Sequence, residues 1–382
     1  MMAGKGHIAI FGIKYFPSRG GTSRVVESLL RYLKDEYTIT IYCYEHPRAT
    51  VNIPGVNTVT FPEPKVKNFG VFYYFLKCLI HVLTKGNYDL VHVHKTEAAY
   101  FAPFIRLRFP TIITSHEIPY KNNKWSWFAK IYFHLAEWLF MHVSGVRTSI
   151  SKTQCDYYEK KYRKPVLYIS NGIEKPSIAT DPDINLFLNK NQIKDDFIFF
   201  AARRIIPIKG CHHLIAALHQ INYKGQVIIA GDTDQIKQYT TQLIESSRGL
   251  DLKFIGYIDA PPLLNALIKR ATLFIFPSEI EGMSMMLLEV AMLGTPIICS
   301  DIPQNKIILN DEHVLFFQSK NPHDLANKLK YAFENKALMQ AAAANATDFV
   351  SKNYSIESVV SKYINLYNRH ITPKRTHEYT KL

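Results

Sequence analysis

Apolar positions along the chain recur with two different periods. The run "HIAIFGI" (7–13) is continuous and short, as a buried strand requires. After a Pro/Gly turn, Val25, Val26, Leu29, Leu30 and Leu33 fall on one face at helical spacing. "YTITIYCY" (37–44) alternates as a strand, and "DLVHVH" (89–94), "TIITSHE" (111–117), "RTSIS" (147–151) and "PVLYIS" (165–170) read as further strands with helical segments between most of them. The turn-rich "SNGIEKPSIATDPD" (170–183) interrupts this rhythm. It then resumes through "FIFFAAR" (197–203), "QVIIAGD" (226–232), "LKFIGYI" (252–258), "TLFIFPS" (272–278) and "TPIICSD" (295–301). "SIESVVSKYINLY" (355–367) has helical spacing again, and a basic tail follows. No internal repeat interrupts the alternation.

Strands alternating with helices predict an α/β protein whose sheets are parallel and covered on both faces. The interruption predicts two doubly wound domains, 1–170 and 171–354, followed by a C-terminal helix and tail, 355–382. Ligands bind outside the carboxyl ends of such strands, so the active site is expected between the halves.

A chain of 382 residues is long enough for two cores. With 47% apolar and 20% charged residues it is globular, not disordered. The five cysteines are odd in number and form no CxxC, which argues against a disulfide framework or zinc site and predicts a reducing compartment. The first apolar run is too short for a signal peptide, and no run is long enough to span a membrane. A soluble or peripheral protein is expected. Its charge is uneven: residues 1–170 hold 23 Lys+Arg against 11 Asp+Glu, or +12, whereas residues 171–382 hold 23 against 21, or +2. The first half is therefore expected to meet an anionic partner, whether a phosphate-bearing substrate, an anionic lipid or a nucleic acid.

In "AARRIIPIKG" (201–210), Arg204 and Lys209 follow a strand. Two cations at a strand's edge can clamp a diphosphate, and a solvated turn is the competing reading. In "SEIEGMSMMLLEVAMLGTP" (278–296), Glu281 and Glu289 stand eight positions apart, and Glu289 has only Met285, Met286, Met292 and Leu293 as helical neighbours. That is not an ordinary solvated face. Ser284 is expected to cap a helix starting near Met285, with the amides of Gly282, Met283 and Ser284 turned toward an anion. Carboxylates accept hydrogen bonds from the vicinal hydroxyls of sugars and riboses. A helix-start acid and a buried structural acid are the alternative, which explains Glu281 better than Glu289.

In "FPSRGGTSR" (16–24), Gly20 and Gly21 let a phosphate or sugar approach the backbone, or simply make a tight turn. The loop matches neither GxGxxG nor GxxxxGK[ST], so neither a dehydrogenase nor a P-loop protein is supported. His92 and His94 share a strand face without an obvious acidic third ligand, and no metal site is expected. His116 reads as a cleft residue that hydrogen-bonds substrate, or else as a core or capping histidine. All three tryptophans fall in 121–140 among lysines, and 69–85 is a second aromatic, basic segment. Ordinary packing is the more common explanation for both, and the charge excess of the first half brings a membrane interface level with it.

Taken in order, these stretches resemble the retaining glycosyltransferases of family 4, which have the GT-B fold. "EIEGMSMMLLEVAMLGTPIICSDIP" looks like that family's E-x7-E region, "ARRIIPIKG" is similar to its arginine–lysine loop and "SNGIE" to its linker. "RGGTSRVVESL", "DLVHVH" and "ITSHE" match its N-terminal landmarks. The resemblance implies a nucleotide-sugar donor, retention at the anomeric carbon, no cofactor and no metal, with a C-terminal helix crossing back to the first domain. It implies that Arg204 and Lys209 hold the donor diphosphate, that Glu289 takes the ribose hydroxyls and that Glu281 orients the donor sugar. Gly282, Met283 and Ser284 would serve sugar and phosphate through their amides, His116 would lie near the transferring sugar, and Gly20 and Gly21 would line the donor–acceptor side. Two positions depart from the pattern: Arg203 stands where the family usually has glycine, and Met283-Ser284 replaces an aromatic-glycine pair.

The expectation is a glycosyltransferase, peripheral on the cytoplasmic face of a membrane, building a cell-surface polysaccharide or lipid-linked glycan on a glycan or lipid-linked acceptor. A GT-B epimerase acting on the nucleotide sugar is one competing reading. A basic nucleic-acid-binding protein is another, weakened by the absence of any nucleic-acid-binding motif, and no nucleic-acid partner is expected.

Overall fold

The computed structural model describes residues 5–16, 22–45, 53–63, 70–118, 120, 126–143 and 145–371. Gly20, Gly21 and the basic tail lie outside these residues. The described residues up to Gly172 form one compact unit with those from Ile356 onward, and Ile173–Ser355 form a second.

The first unit holds strands β1 (His7–Phe11), β2 (Thr38–Tyr44), β3 (Val56–Phe61), β4 (Leu90–Val93), β5 (Thr111–Ser115), β6 (Val146–Ser149) and β7 (Leu167–Tyr168). Its helices are α1 (Thr22–Leu33), α2 (Gly70–Lys85), α3 (Ala102–Arg106), α4 (Trp127–His142) and α5 (Lys152–Tyr162). The strands form one parallel sheet in the order β3-β2-β1-β4-β5-β6-β7. Every residue of β4 and β5 is buried, because helices cover both faces of the sheet. That is why these strands read as apolar runs and not as alternating ones.

The second unit holds α6 (Asp181–Lys190), β8 (Phe197–Arg204), α7 (Cys211–Gln220), β9 (Gln226–Asp232), α8 (Lys237–Ser246), β10 (Asp251–Phe254) and α9 (Pro261–Arg270). It continues through β11 (Leu273–Phe276), α10 (Met285–Met292), β12 (Ile297–Ser300), α11 (Pro303–Ile308), β13 (Leu315–Phe317), α12 (Pro322–Glu334) and α13 (Lys336–Asn353). Its parallel sheet runs β10-β9-β8-β11-β12-β13. In each unit the strand order reverses once, between β1 and β4 and between β8 and β11. Loops leaving the carboxyl ends of these pairs diverge there and leave a crevice.

The last helix, α14 (Ile356–His370), belongs to the first unit. Its Ile356, Val359, Val360, Tyr363, Leu366 and Tyr367 share a core with Val26, Leu29, Leu30 and Leu33 of α1. Two polar contacts hold it in register: the Tyr37 hydroxyl donates to Asn368 Oδ1 at 2.7 Å, partly buried, and the buried Tyr367 hydroxyl lies 2.7 Å from His92 Nδ1. All five cysteines are buried free thiols. No described helix is long and apolar enough to cross a membrane.

Candidate active site

The second unit's crevice is built by two loops that lock onto each other. β8 ends in Arg203 and Arg204, and after an irregularity in the strand Arg204 pairs with Asp232 of β9. A 3-10 turn, Pro207–Lys209, then delivers Lys209, and Gly210 closes it at φ 73°. Glycine is required twice over here: the backbone is left-handed, and a Cβ would land on the Pro277 carbonyl. Across the same seam the Glu279 amide donates to the Ile208 carbonyl at 2.8 Å. The chain leaving β11 is thereby pressed against the chain leaving β8, and the side chains of Lys209 and Glu281 meet.

Lys209 Nζ stands 2.6 Å from Glu281 Oε1, with side chains 24% and 12% exposed. At that burial the pair is less screened than a surface ion pair. The carboxylate holds the ammonium at the strand edge. Arg203 and Arg204 are exposed beside it. The nearby Asp232 carboxyl sits below the usual carboxylate range, chiefly through hydrogen bonds from the Asp234 amide and the Gln235 side chain, and also through the positive charge of Arg204 and Arg203.

Behind this pair lies a second cluster that no linear motif announced. His213 Nε2 lies 2.9 Å from Glu279 Oε1, and Lys320 Nζ is 3.1 Å from Glu279 Oε2. Burial alone would raise the Glu279 carboxyl, but the hydrogen bonds from His213 and Lys320 overcome it and hold the group below its ordinary range. His212, whose Nδ1 lies 2.8 Å from the Tyr239 hydroxyl, forms with His213 and Glu279 a group spaced closely enough to hold a metal ion. The Lys320 ammonium already supplies a positive charge there, so the arrangement serves as an anchor for the loop two residues before Glu281.

Ser284 corrects one expectation. It occupies the N-cap position of α10, yet its side chain makes no capping bond. Its buried hydroxyl donates instead to Asn305 Oδ1 at 2.9 Å. Asn305, fully buried on α11, donates in turn to the Ser300 carbonyl at 2.9 Å, and the Ser300 hydroxyl donates to the Ser278 carbonyl at 2.5 Å. A buried amide needs partners more than a partly wet helix start does. The outcome is a polar chain that frames the Glu281 loop at both ends and leaves the first turn of α10 without a side-chain cap.

Glu289 lies half-buried on α10, off the face formed by Leu287, Leu288, Val290 and Ala291. Its neighbours Met285, Met286, Met292 and Leu293 are likewise partly buried. Both departures from the family pattern have local explanations. Arg203 is absent from the described non-glycine residues with positive φ, so its backbone needs no glycine. Met283 packs against the unit's core, and Ser284 makes a bond that glycine lacks.

In the first unit, β1, β4 and β5 end side by side. Gly12, at φ 105°, lies where a Cβ would strike the His94 carbonyl, so the two chain exits are in contact. His94 Nδ1 is 3.1 Å from His116 Nε2, and both nitrogens of His92 are engaged, by Tyr367 and by Thr114 at 2.7 Å each. Burial pushes His92 and His116 down to about 3, with His116 adding to the first and Lys95 to the second. His94 is driven well below the histidine range by burial and by its two histidine neighbours. The imidazoles are therefore neutral at pH 7. His116 borders a small recess with Thr22, Lys95, Glu97 and Glu117.

A pH dependence follows from these lowered values. The unfolded chain takes up protons at these histidines near pH 6.5, the folded chain only near 3, so stability falls as pH drops through that window and is fully present above it. The imidazole resonances of His92 and His116 should stay in the neutral form from pH 7 to 5. A titration midpoint near 6.5 would contradict the burial argument.

Two units, each a doubly wound parallel sheet, have the architecture of the GT-B class of glycosyltransferases. The family profile described as "Glycosyl transferases group 1" matches residues 183–349, and that described as "Glycosyltransferase Family 4" matches residues 19–175. The chain belongs to the family 4 glycosyltransferases. An uncharacterized glycosyltransferase of Methanocaldococcus jannaschii is 23% identical over 355 residues, 91% of this chain and 93% of its own. The UDP-Gal:alpha-D-GlcNAc-diphosphoundecaprenol alpha-1,3-galactosyltransferase of Escherichia coli is 24% identical over 389 aligned positions, covering 94% and 96%. The Anabaena protein HepE, solved with UDP and glucose, superimposes with a TM-score of 0.76 at 15% identity, over 95% of this chain and all of its own.

Proposed function

We propose that this glycosyltransferase moves a sugar from a nucleotide-sugar donor to a glycan or lipid-linked acceptor in cell-surface polysaccharide synthesis, retaining the anomeric configuration and needing no metal. It would work in the cytoplasm, on the inner face of a membrane. The observation that carries this reading is the half-buried Lys209–Glu281 pair at the carboxyl edge of β8 and β11.

Lys209 and Arg204 receive the donor diphosphate. As the anomeric C–O bond breaks, negative charge grows on the diphosphate, and a fixed ammonium there stabilises it without a divalent cation. Diphosphate binding draws Lys209 from Glu281, whose carboxylate is then available to hydroxyls of the transferring sugar. Glu289 accepts from the ribose hydroxyls, and the amides of Gly282, Met283 and Ser284, just before the first turn of α10, serve the sugar and phosphate. On the first unit, neutral His116, at the border of its own recess, can hydrogen-bond a sugar hydroxyl. The acceptor oxygen attacks on the face that the diphosphate leaves, and the departing diphosphate oxygen takes its proton. No protein nucleophile is needed, so positioning and charge account for the rate. The naming of a UDP-sugar and a diphospholipid acceptor in the Escherichia coli relative supports the donor and acceptor classes.

A thermal-shift panel of UDP, GDP, dTDP and ADP, each with and without EDTA, tests this. One nucleotide should stabilise the protein by about 2.7 kcal/mol at a hundredfold excess over its Kd, with EDTA making no difference. Silence from all four would sink the donor reading, and loss of the shift in EDTA would sink metal independence.

A further inference from the structure

We propose that α2, α3 and the outer face of α4 form a docking surface for a bilayer rich in anionic headgroups. Helix α4 is apolar on both sides. Phe133, Ala136, Phe140 and Met141 are buried, while Trp127, Phe128, Ile131, Leu135 and Trp138 face outward, Trp127 at 68% and Phe128 at 77% exposed. A helix on the surface of a soluble protein ordinarily turns polar residues outward, so a continuous apolar outer stripe calls for a partner. Exposed Tyr73 and Ile80 on α2, with Phe104 and Leu107 on and just after α3, extend it.

These helices pack around one 3-10 segment, Thr96–Phe101. Tyr100, on the 3-10 segment between β4 and α3, stacks on Tyr132 of α4 at 4.8 Å and meets Phe72 of α2 edge-on. Arg106 donates to the Val143 carbonyl just past α4 at 2.6 Å.

Charge selects the occupant. Lys77, Lys85, Arg106, Arg108 and Lys130 belong to these helices or their ends. Helices α2 and α3 contain no acidic residue, and the single carboxylate of α4, Glu137, is buried against Lys161 at 2.7 Å. No carboxylate of the three helices faces outward. A cavity of about 490 Å³ at the end of α3 is lined in part by Arg106 and Arg108, whose guanidinium groups suit a headgroup phosphate. Tryptophans at an apolar stripe with cations around it match a lipid interface better than a protein partner's mixed rim. The inference rests on the lipid-linked acceptor reading only for its biological purpose.

The test is co-sedimentation of the full chain with phosphatidylcholine vesicles, with and without phosphatidylglycerol. Binding should require phosphatidylglycerol and weaken with salt, Lys130→Ala should lower it about fivefold, and Trp127→Ser/Trp138→Ser should lower it more than about tenfold. Phe128→Ser is the milder variant should the double change fail to fold, which the nucleotide-dependent thermal shift reports. A wild-type chain that stays in the supernatant, or variants that pellet equally well, would overturn the proposal. So would a dimer in light scattering that the tryptophan changes dissociate, since that gives the face to a second copy. Vesicle binding without any nucleotide response would leave the docking surface standing and remove the proposed donor.

Discussion

Lys209→Ala should lower turnover by about a hundredfold or more, with a smaller effect on the Michaelis constant for the donor. The ammonium is held 2.6 Å from Glu281 on a 3-10 turn, and it sits where leaving-group charge is proposed to grow. An interaction that strengthens only as the bond breaks appears in the rate more than in ground-state binding. Stability should change little, because that turn contains no buried residue. Lys209→Arg should recover part of the activity by keeping the charge. Single-turnover kinetics at saturating donor separate the two parameters, and an unchanged rate in the alanine variant would reduce this loop to a structural turn.

Glu289→Ala should weaken donor binding by about tenfold to a hundredfold, the usual worth of a hydrogen bond to a charged group, and abolish measurable transfer at ordinary donor concentrations. The fold should survive, since Glu289 lies off the fully buried face of α10. The assignment to ribose is checked with a nucleotide lacking the 2′-hydroxyl. Wild-type protein should lose affinity for it, and the variant should bind it as it binds the ribonucleotide. Equal losses in both proteins would place the carboxylate elsewhere.

Particular elements show where sequence reading succeeds and where it stops. β8, β9, β11 and β12 were legible because a strand buried on both faces must be an apolar run. β3, "VNTVTF", escaped because an edge strand with one partner keeps much of its surface exposed and carries no such run. β13 escaped because three residues are too few to show a period. Arg204, Lys209, Glu281 and Glu289 could be listed from local patterns and from a family resemblance. The contact between Lys209 and Glu281 spans 72 residues and depends on a glycine and a backbone hydrogen bond between two loops. Glu279, His213 and Asn305 gave no signal at all, since each acquires its role from a partner distant in sequence. The Ser284 cap was a sound local inference, overridden when a buried asparagine competed for the same hydroxyl.

The sequence by itself determined the periodicities, hence the two α/β units, the break near residue 172 and the excess of positive charge in the first half. Those are short-range properties, written in spacing and composition. Only the tertiary structure decided which charges meet, which histidines lose their protons and which face of α4 carries its tryptophans outward. Strand order and helix packing bring together residues that are far apart along the chain, and burial then sets the strength of every interaction among them.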